Sequence, residues 1–227
     1  MNNIQKIGGV AALIEAATYL VGMAVLFTIL APISGNVDPG QYVAFLADNQ
    51  LFMHLWHLLI YVVNGVFLVV LVLALYERLK TSTPALARMA TAFGLIWAGL
   101  VIASGMLHIN DLGVVADLYN KDPAQATSVW VALAAVEEGL GGAIELPGGV
   151  WLLLVSWAAL RAGALPKALN YLGGVIGVAG ILMVAPALDT LGAVFGLGSI
   201  IWFIWVGVVM LRSSQRAAAY RTTTVST

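Results

Sequence analysis

Residues 51–76, LFMHLWHLLIYVVNGVFLVVLVLALY, decide the fold. Across these 26 positions the only ionisable groups besides tyrosine are two histidines. A helix needs about 20 apolar residues to cross the hydrocarbon of a bilayer, and this stretch exceeds that before Glu77-Arg78-Leu79-Lys80 end it. His54 and His57 stand three residues apart, so on a helix they share one face. Asn64 lies near the middle of the same run.

The remainder of the chain reads the same way. Of 227 residues, 61% are hydrophobic and 9% charged, with a mean hydropathy of +0.97. Soluble domains carry about 25% charged residues, so the composition predicts an all-α integral membrane protein. There is no cysteine, which removes disulfides, iron–sulfur clusters and thiolate metal sites. No phosphate-binding or dinucleotide fingerprint stands in a strand–helix context. Basic residues are not interleaved with aromatics, which excludes nucleic acid as a partner. The partners that composition implies are the lipid bilayer and a small-molecule substrate, with a homo-oligomer or a larger membrane complex compatible.

Apolar runs predict a bundle of six transmembrane helices at about 7–31, 51–76, 85–108, 142–160, 165–187 and 189–211. A polar connection through Pro32, Ser34, Gly35, Asn36, Asp38, Pro39 and Gly40 follows the first, and residues 41–49 suit a short interfacial helix. Asp122 before Pro123 is a good helix start. The segment 124–160 that follows would run roughly 55 Å as one helix, too long for an upright span. An extra interfacial or kinked helix is therefore expected before the fourth span, with the break near Gly139–Gly142 or Pro147-Gly148-Gly149. Residues 1–211 then form a single six-helix domain, and 212–227 a polar cytoplasmic tail that should fray.

Charge orients the bundle. Lys6, Arg78, Lys80, Arg88, Arg161, Lys167, Arg212, Arg216 and Arg221 fall on one side of a six-span chain, and only Lys121 on the other. The positive-inside rule places both termini in the cytoplasm, with the chain multi-pass in a cell's inner (plasma) membrane. The opposite face receives Asp38, Asp48, Asp111, Asp117, Asp122 and Asp189. Small residues at Gly173/Gly177 and Gly192/Gly196 suit close packing of the fifth and sixth spans.

Ionisable groups inside a membrane are costly and usually face a protein interior. His54 and His57 lie roughly 5–9 Å below the outer end of the second span, and His108 ends the third on the same side. Glu145 precedes Arg161 by 16 residues, roughly 24 Å, and Glu138 shares its face with Glu137 beside it. His54, His57, His108, Glu138 and Glu145 thus reach compatible depth. Imidazole and carboxylate suit a divalent metal such as zinc, iron or manganese, held in a bundle core, although His-x-x-His is not the catalytic zinc motif. A b-type haem held by histidines of the second and third spans is a variant. The plainer alternative puts these histidines at the headgroup boundary beside Trp56. Glu15 is separate, roughly 12 Å inside the first span. With Arg88 and Asn64 it forms a candidate proton- or ion-coupling set, the alternative being a structural Glu15–Arg88 pair.

Gly148-Gly149-Val150-Trp151-Leu152-Leu153-Leu154, Arg161-Ala162-Gly163-Ala164-Leu165-Pro166-Lys167, Leu172-Gly173-Gly174 and Gly196-Leu197-Gly198…Ile201-Trp202-Phe203-Ile204-Trp205-Val206-Gly207 resemble a large bacterial family of polytopic membrane proteins, known only as a domain of unknown function. The resemblance lies mainly in the last 80 or so residues and implies six or so spans, with no catalytic residues to carry over. Two function classes follow from the residues. One is a small-solute transporter, permease or membrane accessory subunit using Glu15. The other is a membrane-embedded metal- or haem-dependent enzyme using the outer His/Glu cluster.

Overall fold

In an apolar medium each backbone N–H and C=O must be satisfied within its own segment, so long apolar runs become helices. The computed structural model describes residues 2–33, 38–142 and 145–225, and among these no strand occurs. Ser34, Gly35 and Asn36 of the predicted polar connection lie outside the described residues, as do the side chains of Arg216 and Arg221. In chain order the helices are α1 (Asn2–Thr28), α2 (Pro39–Asp48), α3 (Gln50–Leu79), α4 (Pro84–Tyr119), α5 (Pro123–Glu137), α6 (Leu146–Ala162), α7 (Lys167–Leu182) and α8 (Leu191–Val225).

Asn3–Thr28, Gln50–Leu79, Pro84–Tyr119 and Leu191–Gln215 are each long and apolar enough to cross a membrane. The helices α6 and α7 are equally apolar but hold 17 and 16 residues. Length and composition therefore support four crossings, with two shorter apolar helices besides. Leu20, Phe27, Leu51, Ile96, Val175 and Ile201 are exposed along these helices, an exterior suited to lipid rather than water.

Local chemistry explains the boundaries. Asp122 caps α5 as expected, its Oδ1 accepting from the N–H groups of Ala124 and Gln125, both at 3.1 Å. The helix that starts there does not run on to Leu160. It ends at Glu137, passes through a π-helical turn at Glu138–Gly142 and restarts at Leu146. The largest differences from the sequence reading are at two boundaries. The helix α4 continues beyond His108 to Tyr119, because Asn110 and Asp111 carry only modest helix penalties and Leu112-Gly113-Val114-Val115-Ala116 resumes the apolar pattern. The tail is helical to Val225 rather than frayed, consistent with the good helix formers Gln215, Arg216 and Ala217-Ala218-Ala219.

The chain divides into two compact units. Unit 1 takes Met1–Ala17, Val66–Ala98 and Glu145–Thr227; unit 2 takes Thr18–Gly65 and Gly99–Ile144.

In unit 1 the backbones of α6 and α7 touch. A Cβ on Gly149 would lie 2.7 Å from both the Gly177 oxygen and the Ile181 nitrogen, and one on Gly177 would lie 2.7 Å from the Gly149 oxygen. Gly173 meets Ser156 of α6 and Trp202 of α8, Gly192 meets only Met183, and Gly196 meets nothing within 4 Å. The fifth and sixth apolar segments also pack closely, a Cβ on Gly198 lying 2.6 Å from Ile176 and one on Gly180 lying 2.7 Å from Phe195, but the backbone-to-backbone approach falls between the fourth and fifth. Trp151 bridges Trp97 and Trp202 at ring separations of 5.5 and 5.6 Å, and its indole is fully buried. Arg78 ties α3 to its surroundings: Nε and Nη2 donate to the Ala164 carbonyl at 3.2 and 2.9 Å, and Nη1 to Gln5 Oε1 and Ser213 Oγ. The turn that offers this carbonyl depends on Gly163, left-handed at φ 59° after α6.

Unit 2 has two apolar clusters. Leu30, Leu46, Met53 and Leu112 form one; Val43, Val115 and Ala126 form the other. Within α3, residues Leu58–Val63 widen into a π-helical turn, where the Asn64 N–H reaches back to the Leu59 carbonyl. Asn64 is itself buried, its Nδ2 donating to Thr18 Oγ1 at 2.8 Å.

Candidate polar cavity in unit 2

One helix turn separates His57 from Tyr61 on α3, and His108 from Asp111 on α4, so each pair shares a face. Gly105 brings the two faces together, since a Cβ there would come within 2.5 Å of Tyr61 Cβ. The result is a stack: the His57 and His108 rings are parallel to within 2°, with centroids 4.5 Å apart. Tyr61 lies 5.0 Å from His108. On the far side of His108 its Nδ1 donates to Glu137 Oε2, the last residue of α5, at 2.9 Å. Asp111 interacts with this pair through both Glu137 and His108.

These residues wall a cavity of about 200 Å³, closed further by Tyr42, Trp130 and Glu138. Among the described residues no lysine or arginine lines it. Tyr42 and Trp130 form an aromatic wall with centroids 4.8 Å apart. Burial, and then the nearby Glu137 charge, push the Tyr42 phenol up to about 12. His57, Asp111 and Glu137 are buried, whereas Glu138 is exposed at the rim. Both π-helical turns begin at this cavity: one follows His57 and the other starts at Glu138. Such turns often mark functional positions.

Of the predicted outer cluster, His57, His108 and Glu138 come to this cavity and two members do not. His54 points outward from α3 and is exposed. Glu145 belongs to unit 1, where Oε2 accepts a hydrogen bond from Trp97 Nε1 at 2.9 Å. Among the described residues no three His, Asp or Glu are placed to hold a metal ion. The stacking explains this, because imidazole lone pairs lie in the ring plane and those of parallel rings point side by side rather than to one centre. A separation of 4.5 Å also leaves no room for a macrocycle between the rings. Of the second predicted set, Glu15 is fully buried in unit 1 and Asn64 is buried in unit 2. Arg88 is exposed, with Nε bonded to the Pro84 carbonyl of its own helix.

Glu137, Asp111 and Tyr61 were within reach of the sequence as near neighbours of the named histidines and of Glu138. Counting helix faces back from Glu145 selects Glu138 over Glu137. The π-helical turn and the break before Leu146 reset that count; the glycines at 139–142 announce a break there, but not the change of helix phase.

The chain matches a family model, described as a domain of unknown function (DUF4386), over residues 7–212. That span takes in all of unit 2 and most of unit 1, and extends well beyond the C-terminal segments that carry the resemblance. No curated protein and no solved structure matches the chain. A match over most of its length, on a helical chain with four membrane-length apolar helices, shows that the protein belongs to the DUF4386 family.

Proposed function

We propose that this chain is a six-span inner-membrane permease, or the solute-binding subunit of one, in which the unit 2 cavity takes a small solute and the His108–Glu137 pair handles a proton. The bond from His108 Nδ1 to Glu137 Oε2 carries the reading. With Nδ1–H committed to the carboxylate, the neutral ring holds its lone pair on Nε2. Ionisable side chains on membrane helices are expensive and usually functional, and here two imidazoles and two buried carboxyls meet at one cavity. In this reading α6 and α7 are the fourth and fifth spans, both termini are cytoplasmic, and buried Glu15 is a second proton carrier.

The test is proton movement in proteoliposomes loaded with a pH-sensitive dye, challenged with a panel of small cationic, anionic and neutral solutes. At least one solute should drive proton flux, and His108→Ala and Glu137→Gln should each lower it at least tenfold while Glu15→Gln reports the second carrier. Flux with no solute dependence, or unchanged in His108→Ala, would sink the permease reading. Stoichiometric metal or a haem absorption band in the purified protein would favour the membrane-enzyme alternative.

A further inference from the structure

We propose that the unit 2 cavity selects a small organic cation carrying N–H donors, a protonated primary amine, over anions and neutral solutes; this rests on reading the cavity as a solute site. Three observations carry it. The first is charge. Asp111, Glu137 and Glu138 line the cavity and, among the described residues, no lysine or arginine opposes them; His108 stands against Glu137 and acts on Asp111 as well. An anion would meet carboxylates on every approach, and a neutral solute would leave their charge unmatched.

The second observation is unmet hydrogen bonding. Asp111 is nine-tenths buried on the cavity wall, and its Oδ2 has no hydrogen-bond partner; the same holds for Nδ1 of buried His57. A carboxylate torsion is soft, and a modest rotation turns either Asp111 oxygen inward. An ionised Asp111 carboxylate accepts hydrogen bonds, and an ammonium brings three donors. A bare metal ion fits less well, since no three ligands converge among the described residues.

The third is the wall. Tyr42 and Trp130 stand together on one side, and Tyr61 stands against His108 on another. Aromatic faces attract cations and accept the alkyl part of an amine. At about 200 Å³ the cavity limits that alkyl part to a few carbons.

The experiment is calorimetric titration of the full-length, detergent-solubilised protein with propylammonium, with propan-1-ol and propionate as matched neutral and anionic probes. Propylammonium should bind at least tenfold more tightly than either. Asp111→Asn should weaken it at least tenfold and Trp130→Ala several-fold, with Glu145→Gln unchanged. Equal binding of propan-1-ol, or wild-type affinity in a folded Asp111→Asn protein, would overturn the proposal. If Asp111→Asn does not fold, the selectivity of the wild-type protein still decides. Amine-selective binding without transport would remove the permease reading alone, whereas transport of an anion or neutral solute without amine binding would remove only this one.

Discussion

At the scale of single residues, Tyr42 offers a direct readout of the cavity. Its phenol is held near 12 by burial and by Glu137, against an ordinary value of about 10. Because the folded value is the higher one, the stability it contributes is intact below pH 10 and is lost as pH climbs towards 12. Near-ultraviolet phenolate absorbance should therefore show one late-titrating tyrosine, absent from Tyr42→Phe and moved to lower pH in Glu137→Gln. An unmoved midpoint in Glu137→Gln would separate Tyr42 from that carboxylate. In unit 1, Trp97→Phe removes the indole donor from Glu145. Losing one partner of such a bond costs about 1–3 kcal/mol, to be read as a lower unfolding midpoint in detergent, partly rescued by Glu145→Gln. These pairings were hard to foresee. The sequence displays Glu145, Glu138 and three histidines as polar groups in an apolar chain, but choosing their partners requires the helix phase, which the break before Leu146 conceals.

At the scale of elements, the α6–α7 contact depends on two glycines facing each other. Gly149→Ala would drive a methyl group into the backbone at Gly177–Ile181, with no flexible side chain to yield. Overpacking of this kind costs about 1–3 kcal/mol, and thermal unfolding should register it. Gly174→Ala is the control: nothing lies within 4 Å of its Cβ, and α7 continues on both sides. It should gain up to about 1 kcal/mol from helix propensity. Equal effects would mean that α6 and α7 are not in backbone contact. Glycine spacing announced close helix packing without naming the partner, since several glycines share the three- and four-residue pattern and only the fold tells Gly177 from Gly196.

At the scale of the molecule, charge segregation favours six spans, while helix length supports four. The cysteine-free chain suits a labelling test, because every introduced thiol is the sole one. Ser82→Cys, Gln125→Cys and Ala168→Cys are all exposed. With six spans an impermeant maleimide reaches Gln125→Cys from outside and the other two only after permeabilisation. With four, Ala168→Cys labels from outside as well. Composition made the helical membrane class plain from residues 51–76 onward. The number of crossings was less legible, because a 16-residue apolar helix lies near the lower limit of what spans a bilayer.

The π-helical turn at Leu58–Val63 carries a consequence for descent and engineering. A π turn holds one residue more than the α-helical coil it replaces, so it amounts to a tolerated single-residue insertion. Deleting one residue within 58–63 should restore regular winding at little cost in helix content. Because a π turn places residue i+5 where an α turn places i+4, the helix beyond keeps its orientation and Asn64 stays against Thr18, while the side chains within the turn, Tyr61 among them, change facing. A deletion that leaves circular dichroism intact but abolishes cavity binding would mark this turn as the register setting of the site.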